Sequence, residues 1–253
     1  MSRIDTIFSN GNNKFIPFIV AGDPSLEETE KCLLEMDKNG ADIIEIGFPF
    51  SDPIADGPVI AAAMQRSLQL GITPAHVIGL VSRIRAKLNC GLIAMVSYSI
   101  VRKNGGSLFI DRLSEQGFDG IIIPDIDEIE ATGLSSYCKS LDFTFSMLIA
   151  PTTPLDRVTK LANISTGFLY VLARTGLTGE QSTLPDLSKR IDEIRQVTKL
   201  PLAVGFGITS RAQVKQVHKY AEAAIVGSAL VRRLDESDNP SEVAGQFVAE
   251  ISN

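Results

Sequence analysis

Residues 42–58 read DIIEIGFPFSDPIADGP. The stretch opens as a strand, with Ile43, Glu45 and Gly47 on one face and Ile44, Ile46 and Phe48 on the other. A short apolar run rich in β-branched residues reads as a buried strand. Glu45 is the exception within it, a carboxylate among hydrophobic neighbours. Burying an unpaired carboxylate is costly, and the usual relief is a raised pKa. The loop that follows carries Pro49, Pro53 and Pro58 with two further acids, Asp52 and Asp56. One acid at a strand end and another on the next loop occupy different environments, a combination suited to acid/base chemistry. A simpler reading stands beside it: Glu45 pairs with a Lys or Arg elsewhere in the chain, and Asp52 and Asp56 are turn residues.

On either side of this stretch the same unit repeats. Short apolar runs at 15–20, 91–96, 120–124, 143–148, 168–172, 202–205 and 223–226 join 42–48 to make eight strands, each followed by a helical segment. Continuous apolar strands imply burial on both faces, as in a parallel sheet. Regular alternation with helices implies right-handed βαβ units. Eight such units in 253 residues predict a TIM (β/α)8 barrel spanning residues 1–253 as one domain. An extra helix at 2–10 precedes strand one, and extra short helices occur along the chain. Residues 97–106, SYSIVRKNGG, read as a loop. A doubly wound sheet uses the same units, but no GxGxxG follows strand one.

Composition narrows the function. The chain is 44% hydrophobic and 21% charged, with a net charge of −6. A mildly acidic surface disfavours a nucleic-acid partner. No stretch approaches a membrane span or a signal peptide. Cys32, Cys90 and Cys138 are scattered, with no CxxC pair, which argues against disulfides or zinc and for a reducing cytoplasm. With only His76 and His218, both read as surface positions on helices, histidine-based chemistry has little material.

In a TIM barrel the loops at the strand C-termini build the active site. Strand seven ends Gly205-Phe206-Gly207-Ile208, and strand eight ends Val226-Gly227-Ser228. Glycine lets a backbone N–H approach an anion closely, and a helix starting at Ser228 adds its dipole. These turns are candidates for phosphate binding, or simply tight turns. Residues 174–180, RTGLTGE, offer the Thr178 hydroxyl on a loop that is either a lid or a flexible surface segment. Tyr170 shares a strand face with Phe168 and Leu172; its hydroxyl contacts substrate, orients Glu45, or packs in the core. Phe18 is an apolar wall or a core residue.

PFIVAGDP (17–24), EIGFPFSDPIADGP (45–58), YVLARTGLTGE (170–180), GFGI (205–208) and IVGSALV (225–231) occur in this order. Through them the chain resembles the tryptophan synthase α-subunit family over essentially its whole length. The resemblance implies a lyase that cleaves indole-3-glycerol phosphate to indole and glyceraldehyde 3-phosphate by a retro-aldol step in tryptophan biosynthesis. It implies Glu45 and Asp56 as the catalytic acids, with Asp56 on the indole N–H. Phe18, Tyr170 and Thr178 become substrate contacts. Gly179, Gly205, Phe206, Gly207, Gly227 and Ser228 become the phosphate site. It implies no cofactor in this chain and a β subunit carrying pyridoxal phosphate (PLP) as partner in an α2β2 assembly. The Asp52–Pro53 loop and residues 174–185 would face that partner. The chain departs from the family pattern at Ser97, Tyr98 and Ser99, in place of Tyr-Tyr-Asn, and at Asp127, in place of Pro. The first bears on substrate contacts from that loop. The second adds a charge that either alters the docking surface or is solvated.

Overall fold

A computed structural model describes residues 1–11, 13–53, 56–174 and 185–252. Its strands are β1 (Lys14–Val20), β2 (Ile43–Gly47), β3 (Gly91–Met95), β4 (Gly120–Ile122), β5 (Thr144–Ser146), β6 (Leu148–Ile149), β7 (Leu169–Leu172), β8 (Leu202–Gly205) and β9 (Ala223–Val226). They form one sheet in the order β5-β4-β3-β2-β1-β9-β8-β7-β6, and every pairing is parallel. The two outer strands, β5 and β6, are separated by Met147 alone. The sheet therefore closes on itself through the chain, and the barrel has eight staves, one of them broken.

The broken stave corrects the continuous strand expected at 143–148. At Met147 the backbone leaves the regular ladder: its N–H donates to Ser165 Oγ at 3.2 Å, and its carbonyl accepts from Tyr170 N at 3.1 Å. A second correction falls in the segment read as a loop at 97–106, where Tyr98–Lys103 is helical. Its cap comes from outside. Asp125 accepts from Tyr98 N at 2.7 Å and from Ser97 Oγ at 2.7 Å.

Alternation along the strands sorts side chains into two layers. Ile44 and Ile46 of β2 join Phe15, Ile19, Leu92, Ala94 and Ile121 in the layer between sheet and helices. Inside the barrel lie Ile16, Ile43, Ile93, Ile122, Phe168, Tyr170, Ala203 and Ile225. The parallel register sets Phe18 beside Glu45, and Glu45 beside Ile93. Glu45 thus points inward at the middle of the barrel with an apolar layer beneath it.

The helix Arg3–Ser9 closes the end of the barrel at which the strands begin. Ser2 and Asp5 form a reciprocal capping box, which satisfies N–H groups at its start. Ile4 and Phe8 enter the interior layer, and the Phe8 ring lies 5.6 Å from that of Phe168. The loops at the other end are left free to form a site. Of the two histidines, His76 is exposed on its helix, whereas His218 is half-buried at a helix end with Nε2 3.1 Å from Lys14 O. That histidine is part of the barrel's packing rather than its surface.

Ile4→Ala removes a fully buried side chain from this plug. It is expected to lower unfolding stability by about 2–4 kcal/mol. Urea unfolding should show the midpoint falling with little change in slope.

Candidate active site

Each side chain at the open end is placed by a strand terminus. Glu45 sits on β2 and is fully buried. Among the described residues neither of its carboxylate oxygens has a hydrogen-bond partner. Burial alone pushes its carboxyl from an ordinary 4.5 up to about 8. No Lys or Arg pairs with it among the described residues, so the simpler ion-pair reading fails.

Asp56 arrives from the loop after β2. Its N–H donates to Pro53 O at 3.0 Å, and Gly57 then caps the helix Pro58–Gln69, with Pro58 in its first turn. This turn holds Asp56 against the barrel mouth, where burial raises its carboxyl to about 6. Tyr170 lies close enough to both acids for their charges, added to burial, to raise its phenol well above the ordinary value. At neutral pH the two acids therefore divide: Glu45 keeps its proton and Asp56 is mostly ionised.

These groups share one cavity of about 610 Å³, including its opening to solvent. Phe18, Glu45, Asp56, Tyr170, Phe206, Gly207, Gly227 and Ser228 all line it. Its polar end is the start of the helix Ser228–Asp235. Gly227 supplies no side-chain cap, so the first N–H groups of that helix have neither an intrahelical partner nor a capping side chain. In the same cavity as the acids, they offer amide donors and the positive end of a helix dipole to an anion. Phe206 and Gly207 both take left-handed backbone, with φ of 76° and 79°. For Phe206 such a conformation is costly, and its ring meets Tyr170 edge-on at 6.1 Å.

Gly205 is not on the cavity wall. A Cβ there would fall 2.3 Å from Tyr170 Oη, so this glycine makes room for the Tyr170 ring. Gly47 does the same for Phe18, whose Cζ would lie 2.5 Å from an added Cβ. Both aromatic walls thus lie over a glycine on a neighbouring strand, a role the sequence reading missed for Gly47 and assigned otherwise for Gly205. It also missed the apolar lining of Met95, Leu148 and Ile225, whose only signal is inward alternation along their strands, and of Ile60 on the helix Pro58–Gln69. Thr178 and Gly179 lie outside the described residues.

The two departures acquire local explanations. Ser97 and Ser99 face each other at 3.0 Å, and Ser97 lines a recess with Asp52, Pro53 and Asp125 that adjoins the main cavity and shares Asp56, Met95 and Pro124 with it. Asp127 caps the helix Glu128–Ser140, accepting from Ile129 N and Glu130 N at 2.9 Å each. Among the described residues no cluster of three or more His, Cys, Asp or Glu is arranged to hold a metal. No helix among them is long and apolar enough to cross a membrane.

The family model of the tryptophan synthase alpha chain matches residues 4–252. The chain belongs to that family. The tryptophan synthase alpha chain of Prochlorococcus marinus (strain MIT 9313) is 40% identical, covering 100% of this chain and 93% of that protein. The corresponding chain of Petrotoga mobilis is 36% identical, with coverage of 99% and 96%. Among solved structures, the tryptophan synthase subunit alpha of Legionella pneumophila superposes with a TM-score of 0.91 at 32% identity, covering 100% of this chain and 97% of that one. Tryptophan synthase from M. tuberculosis, solved in an aminoacrylate-bound form, gives 0.88 at 27% identity, with coverage of 99% and 100%. The tryptophan synthase alpha chain is an enzyme of tryptophan biosynthesis that cleaves indole-3-glycerol phosphate, and this chain shares that activity.

The raised Glu45 pKa makes a stability prediction. The folded chain binds this proton more tightly than the unfolded chain, so stability falls as pH rises from 4.5 through about 8. Glu45→Gln removes that term. Between pH 5.5 and 8.5 the variant should gain about 3 kcal/mol relative to the parent in urea unfolding. Parallel pH curves for the two would show that Glu45 titrates normally.

Proposed function

We propose that Glu45 and Asp56 carry out the family's lyase reaction, with the substrate phosphate held at the start of the Ser228–Asp235 helix. The supporting observation is the pair of acids in one cavity, Glu45 at about 8 and Asp56 at about 6, facing that helix start. Glu45 gives its proton to C3 of the indole ring. Asp56, ionised, accepts a hydrogen bond from the indole N–H and stabilises the positive charge this creates. Glu45, now a carboxylate, takes the proton of the glycerol hydroxyl next to the ring. The bond from C3 to the glycerol carbon breaks, and its electrons restore the aromatic indole. Glyceraldehyde 3-phosphate leaves as the aldehyde, and Glu45 ends protonated as it began.

The remaining groups position the substrate. Phe18 and Tyr170 flank the ring and the glycerol chain. Gly207, Gly227 and Ser228 hold the phosphate, with Phe206 turning the chain between them and the barrel. Gly205 contributes through the space it leaves for Tyr170. Thr178 and Gly179, outside the described residues, belong to the same proposal as a hydroxyl and an amide that follow β7 in the sequence.

The proposal extends to the setting. The whole chain works as one barrel domain and needs no cofactor of its own. It passes indole to a PLP-bearing β subunit in an α2β2 assembly. The exposed Asp52, whose carboxylate accepts from Ser51 Oγ at 2.6 Å, belongs to the proposed docking surface; residues 175–184, the other part of that proposal, lie outside the described residues. Three free, buried cysteines fit a cytoplasmic location.

The test is a pH–rate profile with indole-3-glycerol phosphate. The reaction needs Asp56 ionised and Glu45 protonated, so kcat/KM should rise through about pH 6 and fall through about pH 8. Glu45→Gln and Asp56→Asn should each lower kcat by about 10²–10⁴-fold while the fold persists by circular dichroism. Turnover within a few-fold of the parent in Glu45→Gln would remove that residue from the chemistry.

A further inference from the structure

One guanidinium lies behind the site and touches three of the elements that build it. Arg66 sits near the end of the helix Pro58–Gln69, which begins two residues after Asp56. Its Nε and Nη2 donate to Asp23 Oδ1 and Oδ2 at 2.8 and 2.7 Å, a bidentate pair with the loop after β1, the strand that carries Phe18. Nη2 also lies 2.9 Å from Oδ1 of Asp235, the last residue of the helix Ser228–Asp235. A carboxylate at a helix C-terminus opposes the dipole; the same last turn carries Arg232 and Arg233, and Arg66 adds a cation from the neighbouring helix.

The two helices are fastened at two levels. Near the cavity, Ile60, Ala63 and Met64 of one meet Val231 of the other in an apolar cluster with Phe18 and Val20. Further back a hollow of about 840 Å³, including its opening to solvent, lies between them, lined by Arg66, Leu70, Leu234 and Asp235. Across that hollow the connection is ionic. A helix of this length is a rod of about 12 Å. Its far end is held on one side by Leu234 in the core and by Arg233, which pairs with Glu250 at 2.7 Å, and Arg66 holds it on the side that faces the Pro58–Gln69 helix. The axis direction decides where the first-turn amides point, and productive geometry tolerates only about 10–20°.

We propose that Arg66 is a positioning residue: through Asp235 and Asp23 it sets the axis of the Ser228–Asp235 helix against the Asp56 loop, and so the aim of the amides toward the substrate phosphate. This rests on the phosphate site proposed above. Arg66 touches no substrate. Its effect is greatest on the phosphate arm, because the Ser228–Asp235 helix carries the amides, whereas Asp56 is also held by its own N–H to Pro53 O and Phe18 by the pairing of β1 with β2.

The experiment is calorimetric titration of the full chain with two probes, glycerol 3-phosphate and indole, for the parent, Arg66→Ala, Arg66→Lys and Asp235→Asn, with thermal melts alongside. Arg66→Ala should weaken glycerol 3-phosphate about 5–20-fold while indole binding stays within twofold. Arg66→Lys should recover part of that loss, keeping the charge without the fork. Asp235→Asn, at a half-exposed position, should weaken glycerol 3-phosphate by a few-fold with the fold intact. Glycerol 3-phosphate affinity unchanged in Asp235→Asn and Arg66→Lys, or equal losses for both probes, would reduce Arg66 to a stabilising ion pair and overturn the inference. No glycerol 3-phosphate binding by the parent would instead overturn the phosphate site itself.

Discussion

A carboxyl group sits on the inward face of β2 with no partner among the described residues and an apolar layer below it. Water cannot reach it readily, and charge there is unfavourable, so the group keeps its proton at neutral pH. That state is created by the closed parallel sheet. Because β2 is flanked by β1 and β3, Glu45 cannot swing outward, and the pleat offers no other direction. A proton held in this way is available to a substrate that brings its own basic carbon. The buried carboxyl therefore costs stability at alkaline pH.

The rest of the mouth is built as a complement to that group. Asp56 reaches the same cavity from a tight turn and is held closer to solvent, so its pKa stays below neutrality. Two aromatic rings wall the space between them, and each is seated over a glycine of an adjoining strand. In the same wall an uncapped helix start gathers amide donors. Acid, carboxylate, aromatic walls and free helix amides thus line one cavity.

Much of this can be read from the residues. Eight short apolar runs between helical segments carry the barrel, since periodicity and burial on both faces are local properties. Glu45 stands out because a carboxylate interrupts such a run, and Gly227-Ser228 because a glycine precedes a helix at a strand end. Asp127 could also have been read as a cap, since it directly precedes a helical stretch. What escapes the sequence depends on distant partners. The helix Tyr98–Lys103 is capped by Asp125, 27 residues from Tyr98. The break at Met147 depends on Ser165, 18 residues on. Gly205 reads as an anion turn until Tyr170 is seen lying across it. The lining by Met95 and Leu148 is invisible without knowing which strands face each other.

The most direct test concerns the protonation of Glu45 in the resting chain. Infrared difference spectra between the parent and Glu45→Gln, recorded in steps from pH 5 to pH 10, isolate the C=O stretch of a protonated carboxyl. The account predicts that this band is present at pH 7 and disappears with a midpoint near 8. A band already lost by pH 5.5 would mean that the carboxyl is ionised at neutral pH, and would contradict the buried acid on which the site depends.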